Sequence, residues 1–350
     1  MHMADALISP AVGGVMWTAT AGLAAYAAKK VQNELDDRKV PLMGVLGAFV
    51  FAAQMINFTI PGTGSSGHLC GGLLLAILLG PQAAALTIAS ILTIQCLFFA
   101  DGGLLALGAN IFNMGFIACF IAYPFIYKPL TANNPSQGRI FFASVLTAVI
   151  GLQLGAFGVV LETLFSGISE LPFSAFVLLM QPIHLAIGLV EGLITAVIVL
   201  FIMKESPEIL KKTALGQPLG NIPIKSVFIT LLIAAVLTSG GLSWFASANP
   251  DGLEWSIANV TGESELNAPE GIHSWFAEIQ EKTAFLPDYN FKQPAEETKA
   301  ASAGANAAAA EEPAAWPAVD SGTSTAGIIG SVMTLALAYI IGKGLQRVAR

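Results

Sequence analysis

Three nitrogens at the start of this chain can close on one metal ion. Read as a free N-terminus, Met1-His2 offers its amine, the His2 backbone amide and the His2 imidazole. Amine and amide would form a five-membered ring with an ion, and amide and nearer imidazole nitrogen a six-membered one. Three nitrogens in one plane suit Ni(II) or Cu(II). The competing reading is a histidine that follows Met1 by chance. A fourth nitrogen is available at His68, the last residue of Pro61-Gly62-Thr63-Gly64-Ser65-Ser66-Gly67-His68, where glycine lets the backbone come close. The alternative for His68 is a cap on a helix starting at Leu69. Asn57, just before this loop, either orients the loop or a ligand imidazole, or ends its own helix.

Other polar residues sit in apolar surroundings. Asp101-Gly102-Gly103 lies at a helix boundary, where Asp caps, and opens a polar, glycine-rich grouping that runs to Asn113. Asn110 and Asn113 are three apart and expected on one helix face. Gln181, His184 and Glu191 share another face. Ionisable groups inside a membrane are costly and usually look into the bundle. His184 and Glu191 are therefore candidates for a cation site or proton path, with a buried packing network as the alternative. Glu162 and Glu170 are expected only to raise the local cation concentration. His273 reads as a surface histidine. Cys70, Cys96 and Cys119 have no paired spacing and read as small buried hydrophobes.

The elements that must position these residues are membrane spans. The chain is 55% hydrophobic and 11% charged, with a mean hydropathy of +0.70, whereas soluble domains carry about 25% charged residues. An all-α polytopic membrane protein with about nine spans is expected. The apolar stretches are 10–28, 41–57, 69–79, 83–99, 105–127, 140–165, 173–203, 224–245 and 325–342. The third and fourth are short, hinge at Gly80-Pro81, and read as tilted or partial helices. The loop carrying His68 is expected to dip toward the membrane, since irregular backbone at that depth needs protein or water around it. Segment 246–324, with its Ala-rich tract 300–315, has a linker's composition. No Walker-type phosphate loop, nucleic-acid motif or basic patch is present.

Lys and Arg orient the spans. Thirteen of the sixteen basic residues fall in loops 29–39, 128–139 and 204–223 with their helix edges, or at the C-terminus. The other three, Lys282, Lys292 and Lys299, lie in the long 246–324 segment, where the charge rule is weak. The short loops on the opposite side contain none. The N-terminus, the His68 loop and segment 246–324 are thus expected outside, and the C-terminus in the cytoplasm. Met1-His2 and His68 then share one side.

These stretches resemble a known family. Met1-His2-Met3-Ala4-Asp5-Ala6-Leu7-Ile8-Ser9-Pro10 is similar to the start of the CbiM/NikM family, the substrate-capture components of cobalt and nickel energy-coupling-factor transporters. So are Phe51 through Phe58, Ser66 through Gly72, Phe99 through Gly115, and His184 through Thr195 with Glu191-Gly192-Leu193-Ile194-Thr195. Met3 and Ala6 depart from the commoner Ile and Gly at positions that ligate nothing. Residues 220–350 resemble the small companion component, with Pro250-Asp251-Gly252-Leu253-Glu254 matching its PDGLE motif; the motif also reads as a turn after a span.

The resemblance implies a capture domain at 1–205 with seven helices, a cytoplasmic connector at 206–223 and a two-helix companion part at 224–350. It implies ligation by the Met1 amine, the His2 amide and imidazole, and His68. The cargo would be Ni2+ or Co2+, with no organic cofactor. The partners would be a transmembrane coupling subunit and two cytoplasmic ATPases. The rival expectations are a proton-coupled secondary carrier or an intramembrane metalloenzyme built on His184 and Glu191. The second would need a motif such as H-E-x-x-H, which is absent; the first often shows internal repeats, which are also absent.

Overall fold

The computed structural model describes residues 1–133, 135–264, 266–292 and 316–349. Its architecture is an all-α membrane bundle. A turn at Asp5–Leu7 leads into α1 (Pro10–Val31), which Ser9 caps by accepting from Val12 N (3.4 Å), with Pro10 at the first helical position, where its missing N–H costs nothing. α2 (Lys39–Gln54) ends in a two-stranded antiparallel hairpin, β1 (Phe58–Ile60) with β2 (Ser65–Gly67). α3 (Gly72–Leu79) and α4 (Pro81–Phe99) break at Gly80, whose φ of +83° and the following proline end one helix and start the next. The expected hinge is there.

α3 has eight residues, roughly 12 Å of helix, less than half of a hydrocarbon core of about 30 Å. The chain from β2 to Gly71 leads into α3 as an irregular turn. His68 therefore hangs inside the bundle on backbone whose polar groups side chains must satisfy. α5 (Leu107–Leu130) is α-helical at its start and π-wound over Ile111–Tyr127. α6 (Gln137–Ser166) and α7 (Phe173–Glu205) are long antiparallel neighbours, and the short α8 (Pro207–Ala214) returns to α3, where Thr213 Oγ1 donates to the Leu78 carbonyl (3.1 Å). Nearby, the fully buried Lys39 pairs with Glu34 (2.9 Å).

The last two spans, α9 (Lys225–Gly240) and α12 (Ser321–Ala349), pack on α2, with Ser331 Oγ bonded to the Ala48 carbonyl (3.3 Å). The nine expected apolar segments thus appear as six long helices, two of 16 residues and the half-length α3. Between α9 and α12 the composition of a linker misleads. The described residues there form α10 (Gly252–Thr261), α11 (Ile272–Thr283) and a turn at Pro287–Tyr289. They fold because Leu253, Ile257, His273, Ala284 and Leu286 find buried places against the bundle. The tract 300–315 lies outside the described residues.

Candidate metal centre

Met1, His2 and His68 meet at one buried point. The Met1 amine nitrogen is 3.4 Å from His68 Nε2, and the His2 and His68 rings stack with centroids 5.1 Å apart and planes 11° off parallel. The backbone next to them is pinned. Met3 N donates to Asn110 Oδ1 (2.8 Å), and Asn110 Nδ2 and Gly103 N donate to the Met3 carbonyl (3.1 and 2.8 Å). Asp5 Oδ1 accepts from Ala106 N (3.0 Å). Phe99–Asn110 is thus a cradle for the first five residues.

His68 has a defined tautomer. Its Nδ1 faces the Leu69 carbonyl (3.1 Å), and only a protonated nitrogen bonds there, so Nε2 turns a lone pair toward Met1. Burial, then the Met1 ammonium and His2, push its pKa down to about 3, which keeps that lone pair free. His68 does not cap α3, which starts four residues later. Glu191 fixes the intervening turn: its two oxygens accept from Cys70 N (2.9 Å) and Gly71 N (3.0 Å). The turn needs glycine at 71, where φ is +78° and a Cβ would lie 2.4 Å from Val50. Gln54 Nε2 takes the Cys70 carbonyl (2.9 Å), itself held by Gln95 (2.9 Å).

His2 is oriented differently. Its Nδ1 bonds Asp101 Oδ1 (3.0 Å), while its buried Nε2 finds no partner among the described residues. Asp101 is not a helix cap. It joins His2 to the Tyr289 hydroxyl, which donates to its other oxygen. Burial opposes ionisation of Asp101, but His2 and Tyr289 outweigh it and hold the pKa at about 2.

Residues 246–264 and 266–292 close the site over the N-terminus. Asp251 splits its carboxylate: Oδ1 caps α10 through Leu253 N and Glu254 N (both 2.8 Å), and Oδ2 accepts from the Met1 amine (2.8 Å). The cap is legible as D-x-x-E, a capping box; the amine contact spans 250 positions and is not. Burial opposes the Met1 ammonium, but Asp251 more than compensates and raises its pKa. Burial likewise opposes the Asp251 carboxylate, and the Met1 ammonium and His68 hold its pKa below the usual range. The same segment bonds the His68 hairpin, through Ser66 N to the Pro250 carbonyl (2.8 Å) and Trp255 Nε1 to the Thr63 carbonyl (2.9 Å).

Several expectations need correction. His273 is not on the surface: it is 3% exposed, with Nε2 bonded to the Ile8 carbonyl (2.9 Å), because α11 lies over the segment that leads into α1. Asn110 and Asn113 do not act together. The i→i+5 winding that begins between them turns them apart, so Asn110 holds Met3 and Asn113 Nδ2 binds Glu162 (2.7 Å). Glu162 is thus a buried partner on α6, not a surface charge. Asn57 orients no imidazole; its carbonyl accepts from Ser247 N (2.7 Å). His184 and Glu191 are not a pair either. Glu191 serves the His68 turn, and His184 Nδ1 bonds the Met180 carbonyl (2.8 Å). The three cysteines are free and buried, as expected. No group of three His, Cys, Asp or Glu side chains placed to hold a metal occurs among the described residues; two of the four nitrogens gathered here belong to the N-terminal backbone.

An N-terminus tucked between helices and met by a histidine from a re-entrant turn defines a class: polytopic membrane proteins of metal transport. Residues 2–209 match the family described as the cobalt uptake substrate-specific transmembrane region, and the chain belongs to it; residues 225–347 match the PDGLE domain. The chain is 30% identical to a fused nickel transport protein NikMN of Rhodobacter capsulatus, over 83% of this chain and 88% of that one. It is also 30% identical to a cobalt transport protein CbiM of Sorangium cellulosum, over 61% and 95%. A crystal structure of a transition metal transporter, 33% identical, superposes with a TM-score of 0.52 over 59% of this chain and 93% of that one.

Proposed function

We propose that this protein captures Ni2+ or Co2+ on the outer side of the cell membrane for an ATP-driven uptake complex of the energy-coupling-factor type. The ligands are the Met1 amine, the His2 amide and Nδ1, and His68 Nε2; the ion is cargo. The reading is carried by one observation: the terminal amine sits 3.4 Å from a histidine nitrogen whose lone pair is free. Loading asks the His2 ring to turn, so that Nδ1 faces the ion and Nε2–H meets Asp101, the carboxylate–histidine–metal arrangement of many sites. Residues 1–205 form the capture part, 206–223 a cytoplasmic connector, and 224–350 a companion part whose outer segment seats the N-terminus through Asp251. ATP hydrolysis belongs to two cytoplasmic subunits acting through a transmembrane coupling subunit. His184 and Glu191 carry no separate catalysis, since they do not meet.

One residue added before Met1, or acetylation of its amine, tests the chelate, because it removes a ligand while every side chain of the natural chain is kept. Elemental analysis and Ni2+/Co2+ competition on purified protein should show metal lost in that variant and in His68→Ala, with both proteins still inserted. Full metal content in the extended protein would end the reading. Uptake that persists without the ATPase subunits would favour the secondary-carrier alternative.

A further inference from the structure

His184 is left over by this account. It is 1% exposed on α7, and its Nδ1–H is committed to the Met180 carbonyl (2.8 Å). Its Nε2 must then carry a lone pair, yet that atom finds no partner among the described residues. A buried acceptor left without a donor is costly, so an unused imidazole nitrogen here calls for an occupant. The ring borders a cavity of about 10 Å³, whose other walls include Met1, Gly67, His68, Asp251 and Gly252. That is room for one water-sized ligand. The wall opposite is glycine for a reason: a Cβ at Gly252 would lie 3.2 Å from His184 Cε1.

We propose that His184 Nε2 is a further metal ligand. With His68 Nε2 it forms a two-imidazole transfer position beside the four-nitrogen chelate, which divalent Ni or Co occupies on its way in or out. The inference rests on the reading of His68 as a ligand. Two imidazoles bordering one small cavity favour borderline cations such as Ni2+ and Co2+ over Mg2+ or Ca2+. The Asp251 carboxylate on the same wall supplies countercharge. The Nδ1–H···O=C bond to Met180 fixes tautomer and ring plane, as it does for ligating histidines generally. His184 also sits three turns inside a 33-residue helix, so it stays in place when the N-terminal segment leaves. Because the planar set is complete with four nitrogens, His184 governs transfer and leaves final affinity to the chelate.

The test uses full-length protein in detergent, with Co2+ and Ni2+ as probes. His2→Ala disables the chelate and should leave weak one-to-one Co2+ binding, visible in the d–d spectrum. Adding His184→Gln, which keeps the side chain polar and nearly fills the space, should weaken that residual binding about tenfold. In the otherwise natural chain, His184→Gln should leave the absorption spectrum of the Ni2+ chelate unchanged and slow loading about tenfold in stopped-flow. Equal Co2+ binding by the single and double variants, whether both bind or neither does, overturns the proposal, as does an unchanged loading rate. If His2→Ala binds Ni2+ as tightly as the natural chain, the chelate itself fails, and that result is separate from the His184 comparison.

Discussion

Asp251→Asn is the substitution that separates a ligand clamp from a helix cap. The residue does two jobs with two oxygens: Oδ1 caps α10, and Oδ2 meets the Met1 amine at 2.8 Å. Asn caps a helix about as well as Asp, so α10 should survive, while the charge facing the amine is lost. In the natural chain the Met1 ammonium and the Asp251 carboxylate cancel in the metal-free site. Loading removes one proton from the amine and one from the His2 amide, and the dication then leaves the net charge of the site unchanged. In the variant the amine loses that carboxylate and sheds its proton in the metal-free state, so loading adds one positive charge to the buried site that the natural chain does not gain. A hydrogen bond to a charged group is worth about 1.5–3 kcal/mol, which corresponds to roughly 10- to 100-fold in Kd. Calorimetric titration with Ni2+ in two buffers of different ionisation enthalpy reads both quantities. The natural chain should release about two protons per ion near neutral pH; the variant should release fewer and bind more weakly. Unchanged affinity with an unchanged proton count would refute the clamp and leave Asp251 a cap alone.

Glu191→Ala should strand Cys70 N and Gly71 N at membrane depth; two buried donors at about 1–3 kcal/mol each predict a lowered melting temperature and weaker metal binding together, measured by thermal shift and calorimetry. Tyr289→Phe removes the donor to Asp101 and should weaken Ni2+ binding several-fold while leaving the melting temperature nearly unchanged. The pH dependence has a sign. The folded His68 pKa, about 3, lies below its unfolded value near 6.5, so its contribution to stability is present above about 6.5 and is lost as the pH falls toward 3. The metal-free protein should therefore melt progressively lower below about pH 6.5, and His68→Ala should flatten that slope.

Sequence alone determined the span pattern, because apolar length and the Gly80-Pro81 break are local properties that a bilayer reads directly. It also singled out Met1 and His2, because a terminal amine beside an imidazole can chelate whatever the fold, and the span pattern put His68 on the same side. Tertiary structure decided which groups hold those three in place. Asp251 reaches Met1 across 250 positions, Tyr289 reaches Asp101 across 188, and Glu191 reaches the His68 turn across 121. No periodicity encodes such contacts. They also explain the errors. His273 and Glu162 look solvated among their neighbours in sequence, yet each is buried by an element from elsewhere in the chain, the segment before α1 for one and α5 for the other. A carboxylate or imidazole is assigned its role by what packs against it, and only the folded chain settles that.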